Sequence, residues 1–370
     1  MASYTNRGTK KKPSWQYTIS HKPKPIRKGG FKTKKEAEVA AAEIEAELRK
    51  GVVPQLKFEP FDDYFESWVK VYKSGIGDNT RARYNDTLQS IREYFGNKPI
   101  QEINKRSYQE FLNEYAKKHA KSTTRKLNTH IRACVRDAVD EGVIRVDFTR
   151  GAIISGDNKE KRPEEKHLNF GDSETLLKEL YKRLEKGLSY YVLLLGLTSG
   201  MRYAEMMGLT RKDFNFDKNE INIDKTWGYT KKMHKGFGPT KNDQSVRKIK
   251  MDHKTMQAFK RLFELTPDNI HRLVFFSPSS KYNVISNTGS NKLLKNLLKE
   301  LEIERQISVH GLRHTHASVL LYQQVSLYYV SERLGHADIE TTMNTYTHIV
   351  KELREQDEEK TADVFENMVV

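Results

Sequence analysis

The sequence is poor in cysteine and contains no long apolar segment. Its single cysteine, Cys134, excludes an internal disulfide bond and a cysteine-based zinc finger, and it suits a reducing cytoplasm. No apolar run approaches the ~20 residues that a membrane-spanning helix needs. The lysine-rich N-terminus also lacks the apolar stretch of a signal peptide. We therefore expect a cytoplasmic protein that does not associate with a membrane.

Two signatures of cofactor-dependent chemistry are also missing from the sequence. It contains no glycine-rich phosphate-binding loop of the Walker type, so an ATP-driven reaction is not indicated. It also contains no cluster of acidic residues of the kind that holds Mg²⁺. The sequence therefore predicts a protein that works without a cofactor or a metal ion.

Positive charge is in clear excess. The 370 residues include 65 Lys or Arg against 49 Asp or Glu, which gives a net charge of +16. Such an excess favours a polyanionic partner such as nucleic acid, although a basic protein without such a partner remains an alternative. Residues 1–35 alone hold eleven Lys or Arg and no Asp or Glu. This uneven distribution suggests a separate N-terminal region.

The N-terminal region, residues 1–55, is predicted to be a small β-sheet backed by one helix. Residues 15–20 alternate as in a strand, and residues 28–31 resemble a turn into another strand. A capping box at residues 33–36 opens a helix that runs to Lys50. We expect a basic aromatic face that binds DNA, with a disordered basic tail as the alternative. The expected contact residues are Trp15, Tyr17, Lys22, Lys24, Arg27 and Lys28.

Residues 56–155 have the periodicity of an all-helical module. Apolar side chains recur every three or four residues in four successive segments, which predicts a bundle of four helices. Basic residues on its polar faces are expected to bind a DNA backbone, although each could equally be a solvated surface residue. The candidates are Arg81, Arg83, Lys121, Arg125 and Lys126.

The remaining sequence divides into a charged linker at 156–168, a mixed α/β region at 169–350 and a tail at 351–370. In the α/β region, strand-like alternation at 214–216, 220–224 and 245–251 interrupts an otherwise helical pattern, and residues 240–244 have the composition of a turn. The tail is acidic and ends in apolar residues. It could dock on a neighbouring protomer or remain solvated.

Six residues of this C-terminal region form an ordered set that suits attack on a phosphodiester. Arginine guanidinium groups match phosphate oxygens bidentately, lysine and histidine can move protons, and a tyrosine hydroxyl can be a covalent nucleophile. The set predicts DNA strand transfer, with the arginine pair stabilising the pentacoordinate transition state. Its members are Arg202, Lys241, His310, Arg313, His336 and Tyr346.

The pattern His310-Gly311-Leu312-Arg313 with Leu334-Gly335-His336 resembles the tyrosine recombinases, in particular the integrases of phages and integrative mobile elements. The resemblance covers about residues 1–350. It implies an arm-type DNA-binding domain, a helical core-binding domain and a mixed, mainly α, catalytic domain. It also implies site-specific recombination of double-stranded DNA by a homotetramer, through a 3′-phosphotyrosyl link and a Holliday junction, with possible accessory DNA-bending or excision factors.

The resemblance also assigns roles to the candidate residues. His310 would bind the scissile phosphate and help deprotonate the nucleophile, and His336 would donate to a phosphate oxygen. Lys241 would protonate the departing 5′ oxygen, although Lys231, Lys232 and Lys235 compete for that role. Glu205 would support Arg202 without contacting the phosphate. The family often places the tyrosine nine residues after the second histidine, whereas Tyr346 follows His336 by ten.

Several alternatives remain open on the sequence alone. Tyr346 shares a helical stripe with apolar residues and could be a core residue, while Tyr328 and Tyr329 are nearer to Arg313. His310 and His314 have the spacing of a zinc pair, but a third ligand with suitable spacing is missing, so His314 and His316 are expected to pack or hydrogen-bond instead. For the whole protein, the alternatives are a type IB topoisomerase-like enzyme and a non-catalytic DNA-binding factor.

Overall fold

The computed structural model describes residues 2–9, 12–20, 25–49 and 58–346. The chain forms two compact units, residues 1–160 and 161–370. Small sheets and a majority of helices give the architecture expected from the sequence. Within the described ranges, no helix is both long and apolar enough to cross a membrane.

The first unit begins with a three-stranded antiparallel sheet and one helix. Strands β1 (Ala2–Asn6), β2 (Trp15–Ile19) and β3 (Ile26–Phe31) pair in the order β1-β2-β3, and α1 (Lys34–Arg49) packs against them. The sequence pattern did not indicate β1. Residues 28–31, which resembled a turn, belong to β3, where Gly30 adopts a φ of 95° beside a register shift. The glycine pair therefore accommodates an irregular strand.

The expectation that Tyr17 contacts DNA is corrected by its position in β2. Alternate residues of a strand point to opposite faces, and Tyr17 shares the inner face with Ile19. The Tyr17 side chain is fully buried among Ile19, Ile26 and Ala41. Trp15 is half-buried, whereas Arg27 and Lys28 are exposed. Lys22 and Lys24 lie outside the described residues.

The helical module contains the four expected helices, α2 (Phe61–Tyr72), α3 (Asp78–Phe95), α4 (Lys105–Ala116) and α5 (Lys121–Asp140). Their apolar stripes form one core, in which nine of the 21 buried residues are aromatic. The buried Tyr108 hydroxyl donates to Asn128 Oδ1 at 2.8 Å, which satisfies a polar group inside this core. The five basic candidates, Arg81, Arg83, Lys121, Arg125 and Lys126, are all exposed.

The second unit is built around a buried central helix. Helix α7 (Leu188–Ser199) is apolar on nearly every side because α6 (Phe170–Lys182), α9 (His253–Leu265), α10 (Asn287–Glu300) and α11 (Val309–Tyr322) pack against it. The short α8 (Tyr203–Met207) follows α7, and α12 (Leu327–Leu334) follows α11. Residues 339–346 are also helical.

Two small sheets lie between α8 and α9 in sequence. Strands β4 (Phe214–Asn215), β5 (Glu220–Ile223) and β8 (Arg247–Lys250) form an antiparallel sheet in the order β4-β5-β8. Strands β6 (Thr226–Trp227) and β7 (Phe237–Gly238) form a separate hairpin that the sequence pattern did not indicate. The predicted turn at residues 240–244 lies between β7 and β8.

Candidate active site

The turn between α7 and α8 brings Arg202 and Arg313 to the same place. Gly200 ends α7 in the left-handed conformation with φ +68°, and a Cβ atom there would lie 2.6 Å from His316 Cδ2. Only glycine fits this conformation and this space. The turn places Arg202 at the start of α8, and the carbonyl of Gly200 accepts a 2.8 Å hydrogen bond from Arg313 Nη1.

Glu205 is the buried carboxylate that orients Arg202. Its side chain is 1% exposed, and Oε1 accepts from Arg202 Nη1 at 2.7 Å, while Oε2 accepts from the Arg202 backbone N–H at 3.0 Å. Arg247 Nη2 donates to the same Oε2 at 3.1 Å. Burial alone would raise the pKa of Glu205, but the charges of Arg247 and Arg202 outweigh it and lower the pKa. Glu205 is therefore ionised at neutral pH.

The two arginines on Glu205 also bind the C-terminal end of α12. Arg247 Nε donates to the Arg333 carbonyl at 2.7 Å, and Arg202 Nη2 donates to the Gly335 carbonyl at 2.8 Å. The last carbonyls of a helix lack intrahelical partners and carry a partial negative charge, so guanidinium groups satisfy them well. Gly335 itself has φ +66°, and a Cβ atom there would lie 3.0 Å from Arg247 Nη1. These contacts fix the turn that presents His336.

Two hydrogen bonds hold His336 in this turn, one from its backbone and one at its ring. Its backbone N–H donates to the Ser331 carbonyl at 3.2 Å, and Nδ1 lies 2.6 Å from Thr342 Oγ1. Burial, followed by the charges of Arg313 and Arg202, lowers the pKa of His336 to about 4. The ring is therefore neutral at neutral pH.

Helix α11 carries His310 and Arg313 on neighbouring turns. The Ser308 side chain caps this helix by accepting from the Gly311 backbone N–H at 3.3 Å. Arg313 is 3% exposed, and its Nη2 has no hydrogen-bond partner among the described residues. Much of His310 is exposed, yet partial burial and the charges of Arg313 and Arg202 lower its pKa. The helix therefore presents a neutral imidazole beside a buried cation.

Tyr346 lies against α11 and contacts His314. The tyrosine side chain is 2% exposed and packs with Ala317, Leu321, Val330 and Leu334. Its hydroxyl lies 3.0 Å from His314 Nδ1. Burial raises the pKa of Tyr346, although the charge of Arg313 lowers it in part. The predicted stripe joined Tyr346 to the apolar Ile339, Met343 and Ile349. Ile339 and Met343 are exposed instead, and Ile349 lies outside the described residues.

Lys241 is an exposed loop residue, unlike the buried or half-buried arginines of the site. It is exposed in the loop between β7 and β8, as the sequence pattern predicted for this turn. The loop is tied to the arginines because Ser245 Oγ accepts from Arg202 Nη1 at 3.1 Å and also bonds Asn242 Oδ1. The competing Lys231, Lys232 and Lys235 are exposed between β6 and β7.

Two further residues of the site, Arg247 and Arg333, were missed in the sequence. Arg247, Arg333 and His316 are largely buried and join β8, α12 and α11. Arg333 Nε donates to His316 Nε2 at 2.9 Å, and His316 Nδ1 is 2.9 Å from the Leu197 carbonyl, so His316 hydrogen-bonds as expected. A signal existed for Arg247, which shares the inward face of β8 with Ile249. In the sequence, Arg333 resembles an ordinary basic residue in the last turn of a helix, so nothing marked it as part of the site.

Among the described residues, no group of three or more His, Cys, Asp or Glu side chains is placed to hold a metal ion. His310 and His314 are in contact with each other, with ring centroids 5.0 Å apart and the rings nearly perpendicular.

Comparison with known families assigns the chain to a class. The phage integrase family matches residues 166–352, which is more than half of the chain. The N-terminal SAM-like domain of phage integrases matches residues 60–116, and an arm DNA-binding domain matches residues 3–48. The chain therefore belongs to the phage integrase family. It is a tyrosine-type site-specific recombinase of the kind that integrates or excises mobile elements.

Similar proteins share this organisation over nearly their whole length. A tyrosine recombinase XerC-like protein of Caldanaerobacter subterraneus subsp. tengcongensis is 26% identical, with 99% of this chain and 100% of the relative covered. The integrase of Staphylococcus phage L54a is 23% identical, with 86% and 96% covered.

Solved structures show the same fold. The Tn1549 transposon integrase in complex with transposon right end DNA has a TM-score of 0.67 at 17% identity, over 82% of this chain and 99% of that one. A lambda integrase dimer bound to a core site has a TM-score of 0.57 at 13% identity, over 77% and 95%.

The buried His316 should make the catalytic unit sensitive to acid. Burial and the charge of Arg333 lower its pKa to about 3, whereas an unfolded histidine titrates near ~6.5. Below ~6.5 the unfolded chain binds a proton that the folded chain does not, so stability is complete above this pH and falls below it. We expect His316 alone to remove about 2 kcal/mol of unfolding free energy by about pH 5.

Urea unfolding at several pH values can measure this loss. The protein has three tryptophans, and Trp227 belongs to the second unit, so its fluorescence reports this unit in a Trp15→Phe, Trp68→Phe background. A His316→Gln variant should be less stable at neutral pH but lose less stability on acidification. The exposed His253→Gln variant should follow the parent. An acid loss of the same size in the His316→Gln variant would contradict the assignment.

Proposed function

We propose that the protein recombines double-stranded DNA by attack of Tyr346 on a phosphodiester bound by Arg202 and Arg313. The observation that carries this proposal is the buried Arg313 guanidinium, whose Nη2 is unpaired among the described residues. A buried donor without a partner costs about 1–3 kcal/mol. A phosphate oxygen would satisfy it with a charge-assisted hydrogen bond. The site is therefore suited to an anionic group at this position.

The other candidates supply the proton transfers and further phosphate contacts. As the tyrosine oxygen bonds to phosphorus, the bond from phosphorus to the 5′ oxygen breaks. We assign the removal of the phenolic proton to His310, protonation of the 5′ oxygen to Lys241 and a hydrogen bond to the phosphate to His336. Glu205 orients Arg202. The resulting 3′-phosphotyrosyl bond conserves the energy of the phosphodiester, so the reversal with a new 5′ hydroxyl needs no ATP.

The first unit would supply two DNA-binding surfaces, one for the arm-type sites and one for the core site. The exposed Arg27 and Lys28 and the half-buried Trp15 are proposed to bind arm-type sites, together with Lys22 and Lys24. The exposed basic residues at the N-terminal ends of α3 and α5 are proposed to bind the core site, since they can neutralise backbone phosphates. The solved relatives noted above include integrases bound to transposon end DNA and to a core site.

For the assembly we propose a homotetramer that exchanges strands through a Holliday junction. Residues 1–55 would form the arm domain, 56–155 the core-binding domain, 156–168 the linker and 169–350 the catalytic domain. The tail at 351–370 lies outside the described residues, and we propose that it contacts a neighbouring protomer. Accessory bending or excision factors would set direction, and the bacterial and phage relatives suggest action at the nucleoid in the bacterial cytoplasm.

Replacement of Tyr346 by phenylalanine tests the nucleophile. The change removes one oxygen from a buried ring, so folding and DNA binding should persist while the covalent adduct disappears. Adduct formation on a core duplex can be followed by denaturing gel electrophoresis. Tyr328→Phe and Tyr329→Phe are matched controls on α12 and should form the adduct normally. An adduct formed by the Tyr346→Phe protein would show that another residue is the nucleophile.

Replacement of Arg202 by lysine tests whether the guanidinium group binds the phosphate through two hydrogen bonds. Lysine keeps the charge but cannot bind two oxygens in a plane, so the cleavage rate should fall by about 10²-fold or more. The exposed Arg261→Lys substitution on α9 is the control and should leave the rate unchanged. A near-normal rate for the Arg202→Lys protein in a single-turnover cleavage assay would rule out this role for Arg202.

Removal of the N-terminal region tests whether arm-site binding and core-site cleavage belong to different domains. A protein of residues 56–370 retains all the proposed catalytic groups, so it should cleave a short core duplex and form the Tyr346 adduct. It should fail to recombine full sites with distal arm sequences, because it loses the avidity of two linked domains. The salt dependence of its binding should also be weaker, since fewer phosphates are neutralised. Full recombination on such sites would contradict the arm assignment.

A further inference from the structure

Within the described part of the chain, the hydroxyl of Tyr346 has one hydrogen-bond partner, and this partner is not His310. The partner is His314, whose Nδ1 lies 3.0 Å from the hydroxyl oxygen. The two rings are also in contact, with centroids 5.9 Å apart. His314 follows Arg313 directly and lies one helical turn after His310, so the contact is part of the catalytic face of α11.

The surroundings of the tyrosine indicate the direction of this hydrogen bond. The ring is enclosed by Ala317, Leu321, Val330 and Leu334, which offer no side-chain acceptor. If His314 donated from Nδ1, the phenolic hydrogen would have no acceptor among these described side chains, at an energetic cost. The tautomer with its proton on Nε2 lets Nδ1 accept, and both groups are then satisfied.

We propose that His314 accepts the hydrogen bond of Tyr346 and thereby orients the nucleophile toward a phosphate held by Arg313. This inference rests on the proposed function of Tyr346, and it assigns a second histidine of α11 to the reaction. Because a hydroxyl has few allowed directions once its hydrogen is fixed, the acceptor determines where its lone pairs point. Such orientation is worth a large factor in rate, since small displacements of reacting groups slow a reaction strongly.

The role of His314 is to orient the hydroxyl group and not to act as the base that keeps its proton. Burial, followed by the charges of His310 and Arg313, lowers the pKa of His314 to about 3. An imidazole with this pKa remains neutral at neutral pH, so it is a constant hydrogen-bond acceptor and a weak base. The phenolic hydrogen therefore rests on His314 before the attack, and His310, which is more exposed and whose ring contacts His314, takes the proton as the bond to phosphorus forms.

Two substitutions separate orientation from simple packing. His314→Ala removes the acceptor and should slow single-turnover adduct formation on a core duplex by about 10²-fold, with duplex affinity unchanged. His314→Asn keeps a polar amide near the position of Nδ1 and should restore most of the rate. Added imidazole should partly rescue the alanine protein, because His314 lines a cavity of about 250 Å³ beside His310 and Ser308 that a free imidazole can enter. His253→Ala, on the surface of α9, is the control.

The outcomes are distinguishable from a failure of the proposed function. An adduct with Tyr346→Phe would overturn the nucleophile itself. With Tyr346→Phe inactive, a normal rate in the His314→Ala protein would overturn the orienting role alone. A slow alanine protein that neither asparagine nor imidazole rescues would reduce His314 to a packing residue, which also contradicts the proposal. If the alanine protein fails to fold, the asparagine protein decides, because only an orienting role predicts that it retains most of the rate.

Discussion

A single buried carboxylate, that of Glu205, joins α8 to β8 and, through two arginines, to the end of α12. The guanidinium groups of Arg202 and Arg247 each donate to this carboxylate and also to a carbonyl that precedes His336. Removing the carboxylate would leave two largely buried guanidinium groups uncompensated, which typically costs about 3–5 kcal/mol. The positions of Arg202 and His336 therefore depend on one residue that has no direct use for a phosphate.

Positive charge exceeds negative charge in this site, and backbone carbonyls offset the excess. Arg313 donates to the Gly200 carbonyl at the end of α7, and Arg333 donates to the carbonyls of Lys250 and Thr198. Helix C-termini carry a partial negative charge, so they stabilise cations without neutralising them. An anion that enters such a site meets fixed cations and needs little rearrangement of the protein, which is the condition for strong electrostatic stabilisation of a transition state.

The sequence predicted the elements better than the contacts between them. Helical periodicity identified α2 to α5, and alternation identified β5 and β8, because these patterns depend on near neighbours. The same alternation placed Tyr17 on the wrong face, because a period of two does not say which face is buried. Arg247 and Arg333 were missed since their partners are remote: the Arg333 carbonyl bound by Arg247 is 86 residues away, and Arg333 itself bonds Thr198, 135 residues away. The sequence predicted that Glu205 supports Arg202, but no pattern in it paired Glu205 with Arg247.

The burial of Tyr346 constrains how this proposed nucleophile can be activated. Burial raises the pKa of the phenol more than Arg313 lowers it, so the hydroxyl is protonated before DNA binds. A phosphodiester adds negative charge beside Arg313, which disfavours a phenolate further. In the proposed reaction the proton therefore leaves as the bond to phosphorus forms, without prior formation of a free phenolate. Under this constraint the rate of the proposed reaction depends on where the phenolic hydrogen is held, and holding it is the role that we propose for His314.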